Sequence, residues 1–198
     1  MAIVVVGGST KDIGKTTLIC AVISAFSEFD WTAVKITGHS YEPEASASGE
    51  ESESTEATVW EEMNAGQATD TARYLAAGAR RALLVTRHGP EVPIDEVREA
   101  IATDRNVIFE SNRIMDAIRP DLCVTLVGAG STEVKPSFLR LLQKADALVT
   151  LGEARTDSAE LSADIPRFHL QSVDQLPPEM VNWLRSHLDR ASQPDSKA

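Results

Sequence analysis

One stretch near the start of the chain constrains the fold more than any other. Residues 2–6 form an apolar run that leads directly into a glycine-containing segment, and a helical pattern begins at once with Gly14-Lys15-Thr16-Thr17. In a strand, loop and helix of this order, successive backbone amides can curl around phosphate oxygens while the helix adds its positive N-terminal end. The sequence therefore predicts a phosphate-binding loop.

Each residue type in this loop has a specific role. Gly14 lets the backbone approach the ligand, Lys15 reaches the β- and γ-phosphates, and the Thr16 hydroxyl ligates Mg²⁺. The standard spacing places its first glycine where this chain has Ser9, and Gly8 lies one residue earlier. The alternative is an ordinary glycine-rich turn before a basic helix start. The predicted nucleotide-binding residues of the loop are Gly8, Ser9, Thr10, Lys11, Asp12, Ile13, Gly14, Lys15, Thr16 and Thr17.

Beyond the loop, short β-branched runs alternate with helical patterns along the whole chain. This alternation is typical of an α/β protein with a parallel sheet between two layers of helices. We expect a three-layer P-loop NTPase fold with a mostly parallel sheet of about seven strands, in one domain over residues 1–190. The predicted strands are 2–6, 32–37, 82–86, 106–110, 122–127, 147–151 and 167–170. The predicted helices are 15–27, 67–77, 94–103, 111–118, 136–144 and 178–189.

The net charge of −11 is concentrated in one segment. Eight glutamates lie between positions 42 and 62 with no basic residue among them, and without these eight the formal charge falls to −3. The rest of the chain is so close to neutral that it offers no positively charged surface for nucleic acid or an anionic membrane, so we expect neither partner. The low apolar content of residues 42–62 predicts a mobile surface loop, and the polar residues 191–198 predict a disordered tail.

The two cysteines point to a reduced compartment. Cys20 and Cys123 each stand alone in an apolar stretch, which is typical of reduced core residues and not of a metal-binding pair. The apolar start is too short for a signal sequence or a membrane span, and no later apolar run approaches about 20 residues. We therefore expect a cytoplasmic protein.

Two residues at predicted strand ends complete the candidate site. Glu110 closes the apolar run 106–109, and in open α/β sheets ligands gather at the carboxyl ends of strands. We therefore predict Glu110 as a second Mg²⁺ ligand, with a helix-start glutamate as the alternative. Lys35 is unusual within a β-branched run. It is either a second catalytic lysine beside Lys15 or a lysine that projects from an edge strand into water.

Three motifs resemble known families. Glycine followed by five residues before Gly-Lys-Thr resembles the loop of dethiobiotin synthetases. The segment Val34 to His39 resembles the strand-end Ile-Lys-His-x-His pattern of MobB proteins, the GTP-binding accessory proteins of molybdenum cofactor guanylation. The segment Asp70 to Ala79 resembles the D-[ST]-x-R-x-x-x-A-G-A helix of the same family. The resemblance spans roughly positions 2 to 127.

The MobB resemblance implies further site residues and a partner. Asp70 and Arg73 lie one helical turn apart, where they can orient a phosphate or the nucleotide; a surface ion pair is the alternative. The resemblance implies bound Mg²⁺ with GTP or ATP, slow NTP hydrolysis and a cofactor-biosynthesis enzyme as partner, and we carry a homodimer as a candidate assembly. The chain departs from the family at Ser111 and Asn112, where MobB proteins have glycine and an aromatic residue. No N-K-x-D motif follows residues 147–151, so the choice between ATP and GTP stays open.

Two other functions compete with the accessory role. One is a small-molecule kinase or ATP-dependent ligase of the dethiobiotin synthetase type, in which Lys15 and Lys35 clamp the transferred phosphoryl group. The other is a nucleotide-dependent switch protein, in which the segment after Glu110 orders around the γ-phosphate.

Overall fold

The computed structural model describes residues 1–38, 58–86, 91–128, 136–151 and 165–192. Its strands are β1 (Ala2–Gly8), β2 (Trp31–Thr37), β3 (Thr58–Glu61), β4 (Arg81–Thr86), β5 (Asn106–Glu110), β6 (Leu122–Val127), β7 (Ala147–Leu151) and β8 (Arg167–Leu170). Its α-helices are α1 (Lys15–Ala25), α2 (Asp70–Ala76), α3 (Ile94–Ala100), α4 (Pro136–Leu142) and α5 (Pro178–Ser192).

Within these described ranges the strands form one sheet in the order β3-β4-β2-β5-β1-β6-β7-β8. All neighbours pair in parallel except β3, which is antiparallel to β4 at the edge. The strand β1 therefore lies between β5 and β6, and the residues that follow β1, β2 and β5 reach the same edge of the sheet. The predicted α/β fold with a mostly parallel sheet is confirmed.

Strand residues alternate between two hydrophobic cores, as a pleated sheet requires. In β1, Val4 and Val6 pack into the core beneath α1, α2 and α5, whereas Val5 packs into the core beneath α3 and α4. The same alternation places Ile108 in the first core and Phe109 in the second. Glu110 thus faces α1 and α2 together with Ile108, and this places a carboxylate beside the start of α1.

The structure differs most from the predicted elements at residues 58–61 and 111–118. Residues 58–61, inside the predicted mobile loop 42–62, form β3, because Val59 packs against the second core and Arg81 makes a two-fold ion pair with Glu61 at 2.8 and 3.0 Å. The loop prediction is wrong at these four residues, and the preceding part of the loop lies outside the described residues. The predicted helix 111–118 is only a 3₁₀ turn, Ile114–Asp116. There the Ser111 hydroxyl accepts hydrogen bonds from the amides of residues 113 and 114, which favours a turn.

Helix α2 begins at Asp70 and not at the predicted position 67. The Thr69 hydroxyl accepts a hydrogen bond of 3.1 Å from the Ala72 amide, which makes Thr69 the N-cap. Both cysteines are free thiols, and burial raises the pKa of Cys123 to about 12. No helix in the described ranges combines the length and apolar character needed to cross a bilayer.

Candidate functional site

The loop between β1 and α1 depends on two residues in the left-handed backbone region. Gly14, which caps the start of α1, has φ 99°, and Asp12 has φ 59°. Glycine adopts this region at little cost, and aspartate is one of the few other residues that tolerates it. With these two residues in the left-handed region, the loop ends at Gly14 and α1 begins at the next residue, Lys15.

Gly8 explains the shifted glycine of the motif. A Cβ at this position would lie 2.7 Å from the Ile13 side chain and 3.2 Å from the Lys15 stem, so only glycine lets the loop close here. Ser9 occupies the position of the standard glycine with an ordinary negative φ, and it is buried. The Ser9 hydroxyl accepts a hydrogen bond of 3.4 Å from the Gly128 amide. In this chain the position without room for a side chain is therefore Gly8, one residue before the position of the standard glycine.

Asn112 fixes the base of this loop from the neighbouring strand. Its side-chain amide donates to the Gly8 carbonyl at 2.9 Å, and its side-chain oxygen accepts from the Gly8 amide at 2.9 Å. The side chain therefore satisfies both polar backbone groups of Gly8 after the β1–β5 ladder has ended. In the sequence, Asn112 is only a departure from the MobB pattern, and no motif marks it as a site residue.

The Lys15 side chain lies along the loop. Its ammonium donates a hydrogen bond of 2.9 Å to the Thr10 carbonyl, across the concave side of the turn. A lysine held there presents its charge to the space that the backbone amides surround. Lys11, by contrast, is exposed on the rim of the same space.

Glu110 is the centre of the site, and three side chains donate hydrogen bonds to it. The Thr16 hydroxyl lies 2.7 Å from Oε2 of Glu110, the Tyr74 hydroxyl also donates to Oε2, and the Lys35 ammonium lies 3.3 Å from Oε1. Tyr74 has no exposed surface, and Glu110 is 6% exposed. Burial and the adjacent carboxylate raise the pKa of Tyr74 well above its usual range, so its hydroxyl stays protonated as a donor.

Lys35 belongs to this cluster because of its strand register. Strand β2 lies inside the sheet between β4 and β5, so the edge-strand interpretation of Lys35 is wrong. Lys35 is directly opposite Glu110 in the β2–β5 ladder, and its ammonium also donates to Oδ2 of Asp70. Burial alone would lower the pKa of Lys35, but the charges of Glu110 and Asp70 outweigh it and the pKa is raised. The lysine is therefore fully charged at neutral pH.

Asp70 and Arg73 link α2 to the start of α1. Arg73 lies 3.5 Å from Oδ1 of Asp70 and donates a hydrogen bond of 2.8 Å to the Thr17 hydroxyl. Burial would raise the pKa of Asp70, but the hydrogen bond and charge of Lys35 outweigh burial and the pKa is lowered. The pair is thus an ion pair one helical turn apart, as the alternative interpretation held, and it also lies at the phosphate-binding loop.

These elements surround one cavity of about 520 Å³. The predicted site residues that line it are Gly8, Ser9, Thr10, Lys11, Asp12, Gly14, Lys15, Thr16, Thr17, Lys35, Asp70, Arg73 and Glu110. Ile13 is the exception, because its side chain packs against the hydrophobic core. His39, part of the motif that suggested MobB, lies outside the described residues.

The residues beside Lys15 suit Mg²⁺. The Thr16 hydroxyl and the Glu110 carboxylate are hard oxygen donors within 2.7 Å of each other. No group of three or more histidine, cysteine, aspartate or glutamate side chains suited to a metal occurs among the described residues. Mg²⁺ does not need such a group, since it usually keeps several waters and binds one or two protein ligands together with substrate phosphates.

Tyr74 is a site residue that the sequence analysis did not find. It follows Asp70 by four residues and Arg73 by one, so it lies on the face of α2 that meets α1 and β5. The i, i+4 spacing from Asp70 was a usable signal. An aromatic residue in an apolar helix pattern is, however, ordinarily assigned to the core.

A second cavity of about 570 Å³ adjoins the first on the β3 side. The two cavities share Lys35, Thr37 and Asp70 in their linings. The sequence predicts no site there, because the low apolar content of residues 42–62 indicates a loop.

Comparisons with known proteins agree with this architecture. No protein-family model matches the sequence, and no curated protein sequence matches it. Among solved structures, HypB from Helicobacter pylori in complex with nickel superposes with a TM-score of 0.52 at 15% identity, covering 100% of this chain and 92% of HypB.

Two further solved structures resemble the chain at lower scores. A MobB protein homologue from Bacillus stearothermophilus has a TM-score of 0.47 at 19% identity, covering 96% of this chain and 99% of the homologue. LpxK from Aquifex aeolicus in complex with ATP has a TM-score of 0.49 at 15% identity, covering 85% of this chain. This chain spans about half of LpxK, 53% of its length. Together with the geometry of residues 8–17, the likeness to HypB identifies the described chain as an α/β protein with the P-loop NTPase fold.

Proposed function

We propose that this protein binds a magnesium nucleoside triphosphate, GTP or ATP, and acts as a MobB-like accessory protein in molybdenum cofactor biosynthesis. The observation that carries the nucleotide part is the 2.7 Å contact between Thr16 and Glu110 beside the Lys15 ammonium, in one cavity. A hydroxyl at the head of a helix, a strand-end carboxylate and a loop lysine are the parts that a triphosphate and its metal require.

Each residue then has a definite task. Lys15 exchanges its bond to the Thr10 carbonyl for a phosphate oxygen, and the loop amides and the N-terminus of α1 bind the remaining oxygens. Thr16 and Glu110 would hold Mg²⁺, and its charge would neutralise that of the β- and γ-phosphates. Tyr74 keeps the Glu110 carboxylate oriented, because its hydroxyl donates to the same oxygen as Thr16.

The accessory role rests on the MobB-like segment that begins at Asp70. In this segment Asp70 and Arg73 border the cavity, and Arg73 reaches Thr17 at the loop. A cofactor-biosynthesis enzyme as partner, slow hydrolysis, a homodimer and a cytoplasmic location are parts of the same proposal.

A small-molecule kinase or ligase of the dethiobiotin synthetase type is the second candidate function. One observation favours it: Lys35 and Asp70 line both the triphosphate cavity and the second cavity of about 570 Å³. In this function Lys35 would exchange an ion pair with Asp70 or Glu110 for a γ-phosphate on one side and an acceptor on the other.

Calorimetric titration with ATP, GTP, ADP and GDP, each with and without Mg²⁺, tests nucleotide binding. We expect Mg²⁺-dependent binding of at least one triphosphate by the parent and by the control Lys144→Ala, which changes an exposed lysine outside the cavity, and about 100-fold weaker binding by Lys15→Ala. Equal affinity of the parent and Lys15→Ala would contradict the proposal. Hydrolysis measured without an acceptor separates the two functions, since slow turnover with nucleotide-dependent binding of a partner enzyme supports the accessory role. Turnover that requires a small molecule supports the kinase.

A further inference from the structure

A row of four side chains crosses the sheet away from the phosphate-binding loop. Glu110 is opposite Lys35, Lys35 is opposite Leu84, and Leu84 is opposite Trp60 in successive ladders. Residues in register project from the same face of a sheet. At a strand spacing of about 4.8 Å, the row from Lys35 to Trp60 covers about 10 Å, the length of a one- or two-ring molecule.

The far part of this row lines the second cavity. Lys35, Leu84 and Trp60 border it from the sheet, and the start of α2 and the segment that follows β3 border it from the other sides. Because Lys35 and Asp70 belong to both cavities, the second cavity opens toward the triphosphate cavity at its Lys35 end. A molecule that lies along the row would point one end at the predicted γ-phosphate position.

The opposite end of the cavity has exposed apolar surface. Trp60 is 49% exposed and Met63 is 85% exposed. Apart from Met1, these are the exposed large hydrophobic residues within the described ranges. Both line the second cavity. An indole face and a thioether that border one cavity are well suited to pack on a planar ring.

The charges of the lining select against anions. Glu61, Glu62 and Asp70 place three carboxylates around the cavity. Glu61 is paired with Arg81, and the Lys35 ammonium is paired with Asp70 and Glu110, whereas the hydrogen-bond donors to Glu62 are uncharged hydroxyls and an amide. Hydrogen bonds from the Thr69 and Thr71 hydroxyls and the Asn64 amide offset the burial of Glu62 and lower its pKa. A bound anion would meet these charges without an unpaired cation in the described lining to offset them.

We propose that the second cavity is a separate binding site for a planar, uncharged or positively charged small organic molecule. Its ring stacks on Trp60 and Met63, and its polar end lies beside Lys35 and Asp70. This inference rests on the shape and charge of the cavity. Only the expectation that the end beside Lys35 points at a γ-phosphate depends on the proposed triphosphate binding.

Three isosteric probes that differ in charge test this site. They are 4-(hydroxymethyl)benzamidine, 4-(hydroxymethyl)benzamide and 4-(hydroxymethyl)benzoate, titrated by saturation-transfer NMR with the full chain. We expect the amidine to bind best, the amide to bind, and the benzoate to bind at least about tenfold more weakly than the amidine. Trp60→Ala should weaken amide binding about tenfold, a size typical for loss of one aromatic stacking partner.

Control variants keep the result interpretable. Trp60→Phe keeps a ring and should retain most of the affinity. Met63→Ala removes a side chain that is 85% exposed, so it should fold normally and still weaken the probes. Lys144→Ala, at an exposed position outside both cavities, should leave probe binding unchanged. Glu62→Gln should narrow the preference for the amidine over the benzoate.

The inference would be overturned if the benzoate bound as tightly as the amidine. It would also be overturned if both Trp60→Ala and Met63→Ala left the affinities for the amide and the amidine unchanged. Failure of all three probes to bind a chain that binds the magnesium triphosphate would also overturn it, while leaving the proposed function intact. Probe binding by a chain that binds no nucleotide would instead support the second site and reject the proposed function.

Discussion

The Thr16 hydroxyl donates a 2.7 Å hydrogen bond to the Glu110 carboxylate, across 94 positions of sequence. The first residue lies at the head of α1 and the second at the end of β5. They meet because β5 pairs with β1, and β1 runs directly into the loop that precedes α1. The two predicted Mg²⁺ ligands are therefore held together by the sheet order.

Replacement of Lys15 should strongly weaken triphosphate binding without unfolding the chain. Lys15→Ala should lower affinity about 100-fold, the effect expected when one charge-assisted contact to a phosphate is lost. Its ammonium bonds the loop and not the core, so the thermal midpoint without ligand should change little. Calorimetry and thermal denaturation measure both, and Lys144→Ala, outside the cavity, serves as the matched lysine control. A large fall in the midpoint of ligand-free Lys15→Ala would mean that the lysine has a structural role.

Glu110→Gln should weaken Mg²⁺-dependent binding far more than metal-free binding. The amide keeps the shape of the side chain and removes the charge that a metal needs, at a cost of about 3 kcal/mol. Thr16→Ala should show the same metal-selective defect. The double variant should lose less than the sum of the single losses, because both residues act on one ion. Unchanged Mg²⁺ dependence in Glu110→Gln would show that Glu110 serves only the fold.

Tyr74→Phe tests the positioning of Glu110. The variant keeps the buried ring and removes one hydrogen bond to a charged acceptor, so we expect a loss of about 2 kcal/mol in the free energy of unfolding. Mg²⁺-dependent triphosphate affinity should fall severalfold while metal-free affinity stays the same, which separates positioning from general destabilisation. Equal loss of both affinities would contradict a role through Glu110. Urea denaturation and calorimetry supply the two measurements.

Asn112→Ala should loosen the phosphate-binding loop. It removes both hydrogen bonds to Gly8, each 2.9 Å, and should cost about 2 kcal/mol of stability at about 1 kcal/mol per bond. Triphosphate affinity should fall as well, because the loop is held less firmly. Asn182→Ala, at an exposed position of α5, is the control for loss of an asparagine side chain. Amide exchange at Gly8 no faster in Asn112→Ala than in the parent would contradict this account.

The Lys35–Asp70 pair should make stability depend on pH at both extremes. The pKa of Asp70 is lowered below its ordinary 3.8, so its contribution is present above 3.8 and is lost as the pH falls through the folded value. The pKa of Lys35 is raised above its ordinary 10.5, so its contribution is present below 10.5 and is lost as the pH rises through the folded value.

Lys35→Met tests the acid side of this dependence. Without the ammonium, burial favours the protonated form of Asp70, so acidification from pH 7 to 3 should destabilise the variant less than the parent. Urea denaturation at several pH values gives both curves, and Lys11→Met is the control for loss of a surface lysine. Parallel curves for parent and Lys35→Met would show that the pair does not contribute.

Local sequence was enough to predict the phosphate-binding loop and the fold class. The loop can be predicted from neighbouring residues, because Gly14, Lys15 and Thr16 follow directly on the strand and begin the helix that form the site with them. The alternation of apolar runs likewise reports the burial of each strand directly. The strand-end position of Glu110 follows from the same local pattern, and only its partner had to be inferred.

Tertiary structure decided which distant side chains meet. The sequence allowed Lys35 to be an edge-strand lysine or a site lysine, and the position of β2 inside the sheet excludes the edge-strand interpretation. In the sequence Asn112 is only a departure from a family pattern, and Tyr74 has no predicted role. In the structure Asn112 bonds to Gly8 of the loop, and Tyr74 bonds to Glu110. Strand order and register bring such residues together, and single-chain periodicity carries no information about either. Trp60 shows the same limit, because an edge strand of four residues is too short to give a periodic signal and forms only through its pairing with β4.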